Sequence, residues 1–325
     1  MKRFDCLITG GAGFIGSHLC QKLLGSGKSI LVLDDLSTGK YENIEKFMNR
    51  DDFRFIEGSV LNQDTVDEAV RISGEIFHLA AAVGVENVIQ KPVETIETNV
   101  RGTENILCAA REHSAKTLIA STSEVYGKGW SVPFKEDGDI VLGATSRNRW
   151  SYACSKALDE FLALAYNHSH NLPIVICRFF NTVGPGQSGR YGMVLPRFIA
   201  QALTGKPITV FGNGTQTRCF SLVDEVVDCA CDLMNCREAE GKVVNIGSTE
   251  EITILELARR VREISGSSSE IVRIPYEKAY PPDFEDMQRR VPDVSRLHSY
   301  IGRVPKASID CIIRKIIDSE MPDSL

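Results

Sequence analysis

The chain has 325 residues, 43% of them hydrophobic and 25% charged, with no low-complexity tract, which suits one large globular domain or two unequal ones. A formal charge of -6 gives no electrostatic ground for nucleic acid or a membrane surface as partner, and no apolar run approaches the ~18–20 residues that span a bilayer. The ten cysteines are scattered, and the closest group (Cys229, Cys231, Cys236) lacks CxxC spacing, so the expectation is reduced, buried thiols in a cytoplasmic protein with no metal site.

The first half alternates short apolar runs with helical patterns. "DCLITG" enters a strand almost at once, so no secretory signal is expected ahead of it, and a helix follows over about Phe14–Leu24. Next come "SILVLDD", "FRFIEGSV", a polar helix near Asp64–Ile72, "EIFHLAA" and a long helix over about Val93–His113. "KTLIASTSEVYG", a second long helix over about Ser151–His168 and "PIVICRFF" complete the series. Strands alternating with helices predict an α/β fold with a Rossmann-type, doubly wound parallel sheet, whose ligands bind beyond the strands' carboxyl ends. After Asn181 the pieces shorten: "GPGQSGRYG", "PITVFGNGTQTRCF", "VVNIGS" and two or three helices ending at "SIDCIIRKIIDSE". The expected division is a dinucleotide-binding domain over 1–180 and a smaller α/β substrate lobe over 181–325, with "VVNIGS" able to return to the main sheet.

"LITGGAGFIGSHL" places Gly10, Gly13 and Gly16 between a strand and a helix. The first glycine permits the tight turn, the second lets backbone approach a pyrophosphate, and the third lets helix and strand pack closely. Phe14 and Ile15 then open the helix, whose amino terminus offers unpaired N–H groups to phosphate. The next strand ends in Asp34, whose carboxylate suits ribose hydroxyls and would repel a 2′-phosphate, so NAD is expected rather than NADP. Tyr152 and Lys156 ("YACSK") lie four apart on a predicted helix, hence on one face. A nearby ammonium stabilises a phenolate, which would make Tyr152 a usable base and leave Lys156 able to hold the nicotinamide ribose.

Together "TGGAGFIG", "HLAA", "TNVRGT", "STSEVYG", "YACSK" and "RFFN" resemble the extended short-chain dehydrogenase/reductase family over essentially the whole chain. Members act on nucleotide-diphosphate sugars, using bound NAD to oxidise a sugar carbon, usually C4, and then returning the hydride. The resemblance implies Thr122 as the hydroxyl that bonds the C4 oxygen, with Tyr152 as base and Lys156 as its partner. It puts Ser59 where many members have an aspartate contacting adenine, and Val60, Leu79, Ala80, Ala81 and Asn99 at the cofactor. For a UDP-linked substrate it implies Asn181 at the diphosphate, Phe211 near the base, and Arg218 and Arg290 gripping diphosphate or sugar. Val194, Leu195 and Glu86 fall on the substrate side as well, and Glu86 there would repel a substrate carboxylate. Relatives commonly dimerise through the two long helices, here carrying "ILCAA" and "ALDEFLALAY", so a homodimer is implied.

The reaction turns on "STSEVYG". Family epimerases usually have a small residue where this chain has Glu124, so a carboxylate acting at C5 is expected. Ser123 occupies the place of an aspartic acid in dTDP-glucose-type 4,6-dehydratases, and GDP-mannose dehydratases, which share "TSE", use NADP, in conflict with Asp34. "RWSYACSK", "TRCF" and "RRVPD" are similar to UDP-glucuronate decarboxylases and UDP-apiose/xylose synthases, with Arg290 at their catalytic arginine. UDP-glucuronate decarboxylation is therefore the leading reading, with 4-epimerisation and then dehydration behind it. A non-catalytic NAD-binding sensor is a different class, and the intact Thr122, Tyr152 and Lys156 argue against it.

Overall fold

The computed structural model describes residues 3–84, 90–129, 131–189, 193–279 and 287–320. Six strands carry the first half: β1 (Phe4–Thr9), β2 (Ile30–Asp34), β3 (Phe53–Glu57), β4 (Ser73–His78), β5 (Thr117–Thr122) and β6 (Ile174–Phe179). Between them lie α1 (Phe14–Gly25), the short α2 (Glu42–Glu45), α3 (Gln63–Arg71), α4 (Pro92–His113) and α5 (Arg149–His170). The two long helices thus begin one or two residues ahead of their expected starts. Proline at the first position of α4 starts that helix at no hydrogen-bond cost, and Ser114, in a left-handed conformation, ends it.

The second half contributes β7 (Thr182–Val183), α6 (Val194–Leu203), β8 (Ile208–Phe211), β9 (Thr217–Cys219), β10 (Ser221–Leu222), α7 (Val223–Asn235) and β11 (Lys242–Ile246). It continues with β12 (Glu251–Thr253), α8 (Ile254–Ile264), β13 (Ile271–Ile274), α9 (Tyr276–Ala279), β14 (Arg289–Arg290), α10 (Ser295–Ile301) and α11 (Ile309–Glu320).

The main sheet runs β11-β6-β5-β4-β1-β2-β3, and all its pairings are parallel. Its strands are apolar on both faces because helices cover both. On one side α1 and α7 pack with Leu19, Leu23, Val223 and Val226. On the other, α3, α4 and α5 pack with Val66, Ile106, Leu107 and Ala163. The strand order reverses between β1 and β4, which opens a crevice beyond their carboxyl ends.

A separate core joins α6, α8 and α11 with β8 through Phe198, Leu257, Ile312 and Val210. Beside it the small sheet β12-β9-β14 sets Arg290 level with Arg218 on adjacent strands. No helix among the described residues is long and apolar enough to cross a membrane.

One buried ion pair fixes α5 to the sheet. Arg178 of β6 donates from Nη2 and Nε to Glu160 of α5 at 2.6 and 2.9 Å, and the Ser121 hydroxyl of β5 donates to the same carboxylate. The Arg178 guanidinium also lies 4.7 Å from the centre of the Tyr126 ring. Removing one partner strands a buried charge. Glu160→Gln should lower the unfolding free energy by about 3 kcal/mol or more, read from urea denaturation, whereas Glu160→Met combined with Arg178→Met should recover much of that loss.

Candidate functional site

A cavity of about 740 Å³ follows the carboxyl ends of the strands, from the turn after β1 to the small sheet that carries Arg218 and Arg290. At its first end Gly10 has φ +71°, and a Cβ there would sit 2.8 Å from the Ala80 nitrogen. A Cβ on Gly16 would meet the Gly11 Cα at 2.7 Å, so the third glycine lets α1 start directly against the turn. Gly13 stands at the cap of α1 and offers no side chain to the amino-terminal N–H groups, which are left for an anion where Gly13, Phe14 and Ile15 line the cavity.

Asp34 ends β2 with its carboxylate accepting from Ala12 N and Leu36 N, both at 2.9 Å. Burial pushes its pKa up, against those two hydrogen bonds. Val60, Leu79, Ala80 and Ala81 also line the cavity. Ser59 and Asn99 stand outside its wall. The Ser59 hydroxyl accepts from Leu61 N at 3.3 Å. Asn99 is a brace: its Oδ1 accepts from Ala82 N at 2.8 Å and its Nδ2 donates to the Ser155 hydroxyl at 3.0 Å, tying the segment after β4 to α5.

Thr122 is the last residue of β5, and Ser123 and Glu124 begin a short 3₁₀ turn (Ser123–Tyr126) that the Thr122 hydroxyl caps through Glu124 N. Tyr152 and Lys156 come from the first two turns of α5 and, with Thr122, Ser123 and Glu124, line the cavity together. Glu124 takes a hydrogen bond from Arg149, and Arg290 stands 3.7 Å away. Burial alone would raise the Glu124 pKa, but the guanidiniums of Arg149, Arg290 and Arg218 outweigh it and hold the carboxyl at about 2. Arg149 carries no motif of its own. Its signal in the sequence is position, one helical turn before Tyr152 and on the same face.

The tyrosine differs from expectation. The Lys156 ammonium points at Asp159, 2.7 Å away, instead of being committed to Tyr152. Burial, and then the nearby Glu124 carboxylate, push the Tyr152 pKa above its ordinary value, against the opposing pull of Thr122 and Arg149.

At the far end Arg218 and Arg290 are buried and line the cavity with Asn181, Val194, Leu195 and Phe211. Asn181 holds a φ of +29° and donates from Nδ2 to Cys219 O at 2.8 Å, which joins the end of β6 to β9. The Arg197 guanidinium stacks 4.0 Å from the centre of the Phe211 ring. Tyr276 and Gln216, absent from the sequence reading, also reach the cavity, linked by a 3.0 Å hydrogen bond. Glu86 lies outside the described residues.

Comparison with known proteins meets this geometry. The family model for GDP-mannose 4,6 dehydratase matches residues 7–316. The chain belongs to this family, the nucleotide-sugar branch of the extended short-chain dehydrogenases/reductases. A UDP-N-acetyl-alpha-D-glucosaminuronate decarboxylase of Bacillus cytotoxicus is 45% identical over 304 residues, 93% of each chain. UDP-glucuronic acid decarboxylase 1 of Danio rerio is 35% identical over 314 residues, 96% of this chain and 71% of the relative. Among solved structures, a UDP-glucuronic acid 4-epimerase from Bacillus cereus, in complex with UDP-glucuronic acid and NAD, superposes with a TM-score of 0.87 at 30% identity, covering 97% of this chain and 98% of the other. The family is one of enzymes, and this member keeps the glycine turn, Thr122, Tyr152 and Lys156 in one cavity.

The electrostatics of Glu124 give a direct test. Its folded pKa lies below the ordinary carboxylate value, so the pairing stabilises the fold above that value and is lost as pH falls towards about 2. In Arg149→Met the Glu124 titration, followed by carbon-13 NMR of the carboxyl, should move up by about one unit or more.

Proposed function

We propose that the chain is an NAD-dependent decarboxylase of a UDP-linked uronate, working through a transient 4-keto sugar. The observation that carries this reading is the part-buried Glu124 carboxylate between Arg149 and Arg290, beside Thr122 and Tyr152. Three guanidiniums, those of Arg149, Arg290 and Arg218, act on that one carboxylate, and their fork geometry suits a substrate with both a diphosphate and a carboxylate. The decarboxylases among its relatives support the same choice.

NAD, when bound, takes the hydride from the sugar C4 and later returns it. Gly10, Gly13, Gly16 and Asp34 would hold its pyrophosphate and ribose. Tyr152 takes the proton from the C4 hydroxyl, with Thr122 bonded to the same oxygen, and a ketone forms. That ketone is beta to the C6 carboxylate. The C5–C6 bond then breaks, CO2 leaves, and its electron pair passes to the C4 oxygen, where Thr122 and Tyr152 stabilise the enolate. C5 takes a proton from solvent, and Tyr152 returns its own proton to the C4 oxygen as the hydride comes back. Glu124, held ionised, neither gives nor takes a proton in this step; it acts at C5 as a fixed negative charge and as counter-charge to Arg290.

Residues 1–180 hold the dinucleotide in this reading, and 181–325 supply Asn181, Phe211, Arg218 and Arg290 to the sugar nucleotide. The enzyme works in the cytoplasm, where its unbridged cysteines stay reduced. It assembles as a homodimer through α4 and α5, which expose Val93, Ile96, Leu158 and Phe161. Phe161→Asp should convert the dimer to monomer in sedimentation velocity.

The deciding experiment incubates the protein and NAD with UDP-glucuronate and, separately, with its 2-acetamido counterpart, followed by mass spectrometry and proton NMR. A mass loss equal to CO2 is expected with at least one of them. Unchanged mass with inverted C4 would make the protein a 4-epimerase. Glu124→Gln should keep NAD binding and C4 oxidation while slowing CO2 release by about 100-fold or more.

A further inference from the structure

Behind Lys156 lies a polar group that neither the cofactor nor the sugar chemistry uses. Asp159, three residues further along α5, is fully buried, and its Oδ2 accepts from Lys156 Nζ at 2.7 Å. Lys156 is itself only 2% exposed, yet it lines the cavity, whereas Asp159 does not. An ammonium carries three donors, so one bond to Asp159 leaves two for the cavity. Burial pushes the carboxylate's pKa up, while Lys156 and the Thr103 hydroxyl of α4 favour its charged form, and its Oδ1 is buried without a hydrogen-bond partner. Thr103 also bonds His78 Nε2 at 3.2 Å, and His78 Nδ1 bonds the Thr9 hydroxyl at 2.7 Å. A line of hydrogen bonds thus runs from β1 through β4 to Thr103 of α4.

We propose that Asp159 is a positioning residue that keeps Lys156 charged and aimed into the cofactor half of the cavity. A buried ammonium without a counter-charge sheds its proton readily or leaves its site. The other titratable groups around Lys156 do not fill that place. Tyr152 is pushed towards its neutral form by burial and then by Glu124, Glu160 on α5 is committed to Arg178 and Ser121, and His78 on β4 has its pKa lowered to about 3 by burial and then by the charge of Lys156. Glu124, on the turn after β5, is bonded to Arg149. Asp159 alone among these presents a carboxylate oxygen to Nζ within hydrogen-bond distance.

The inference rests on the reading that Lys156 holds NAD, and its test separates the two. The pH dependence of NAD affinity is measured by calorimetry for the wild-type protein, Asp159→Asn and Asp159→Glu, with no sugar present. In Asp159→Asn, which keeps an acceptor oxygen but loses the charge, the alkaline loss of affinity should begin about one pH unit or more lower, a tenfold change in proton affinity. Asp159→Glu should restore the wild-type limb. A purely structural role would lower thermal stability and leave the limb in place, which would overturn the proposal. Should Asp159→Asn fail to fold, a crystal structure of the wild-type protein with NAD decides: Nζ is expected within hydrogen-bond reach of both Asp159 and a ribose hydroxyl, and a Lys156 that has turned away from Asp159 overturns the idea. Failure of the wild-type protein to bind NAD would instead sink the cofactor reading, and this inference with it.

Discussion

The ion pair between Arg178 and Glu160 governs everything that happens at the cavity. A long helix such as α5 could slide or roll against the apolar faces of the sheet at little cost, because hydrophobic contact has no direction. A bidentate guanidinium–carboxylate bond does have direction, and it is buried where water cannot replace it. Tyr152 and Lys156 sit one to two turns before Glu160, so their heights above the strand ends follow from that single lock. The Ser121 hydroxyl, one residue before Thr122, joins the same carboxylate. Thr122 and Tyr152, the two groups expected to meet the sugar oxygen, therefore share this anchor with Lys156 beside them.

Charge is unevenly spread along the cavity. Arg149, Arg218 and Arg290 gather around Glu124 on one side, and on the other the amino terminus of α1 has no side-chain cap over its N–H groups. Between them Tyr152 is pushed towards its neutral form by burial and by Glu124. Lys156, bonded to Asp159 through one of its three donors, keeps two others for the cavity.

The main sheet was legible because its cues are local. Apolar runs of strand length alternate with helical periods, and the glycines after β1 and the carboxylate at the end of β2 sit at separations that backbone geometry dictates. "STSEVYG" and "YACSK" likewise announced Thr122, Glu124, Tyr152 and Lys156, all of which meet in the cavity. Arg149, Asp159, Gln216 and Tyr276 went unread for a different reason. Each is a polar residue whose meaning depends on a partner that tertiary packing brings to it, such as Glu124 to Arg149 or Lys156 to Asp159. The pairing of Arg218 with Arg290 is of the same kind: it exists only because β9 and β14, some seventy positions apart, share a sheet. Asn99 shows the converse, a residue recognised at the right place whose amide braces the wall from behind.

The sheet's outermost strand on the β6 side is β11, which lies beyond the whole of α6 and α7 in the chain. Until Ile246 has left the ribosome, β6 presents a bare row of backbone donors and acceptors to its surroundings. Asn245 of that late strand also receives the Tyr126 hydroxyl at 2.8 Å and donates to Phe134 O at 2.9 Å, which ties the segment carrying Glu136 to the segment carrying Asp293. Vectorial synthesis therefore delivers the strand that seals the sheet and the strut that supports the arginine strand in one event. During translation the nascent chain must carry an open, adhesive edge for about seventy residues, a window in which a chaperone, or a second copy of the chain, has its best opportunity to engage it.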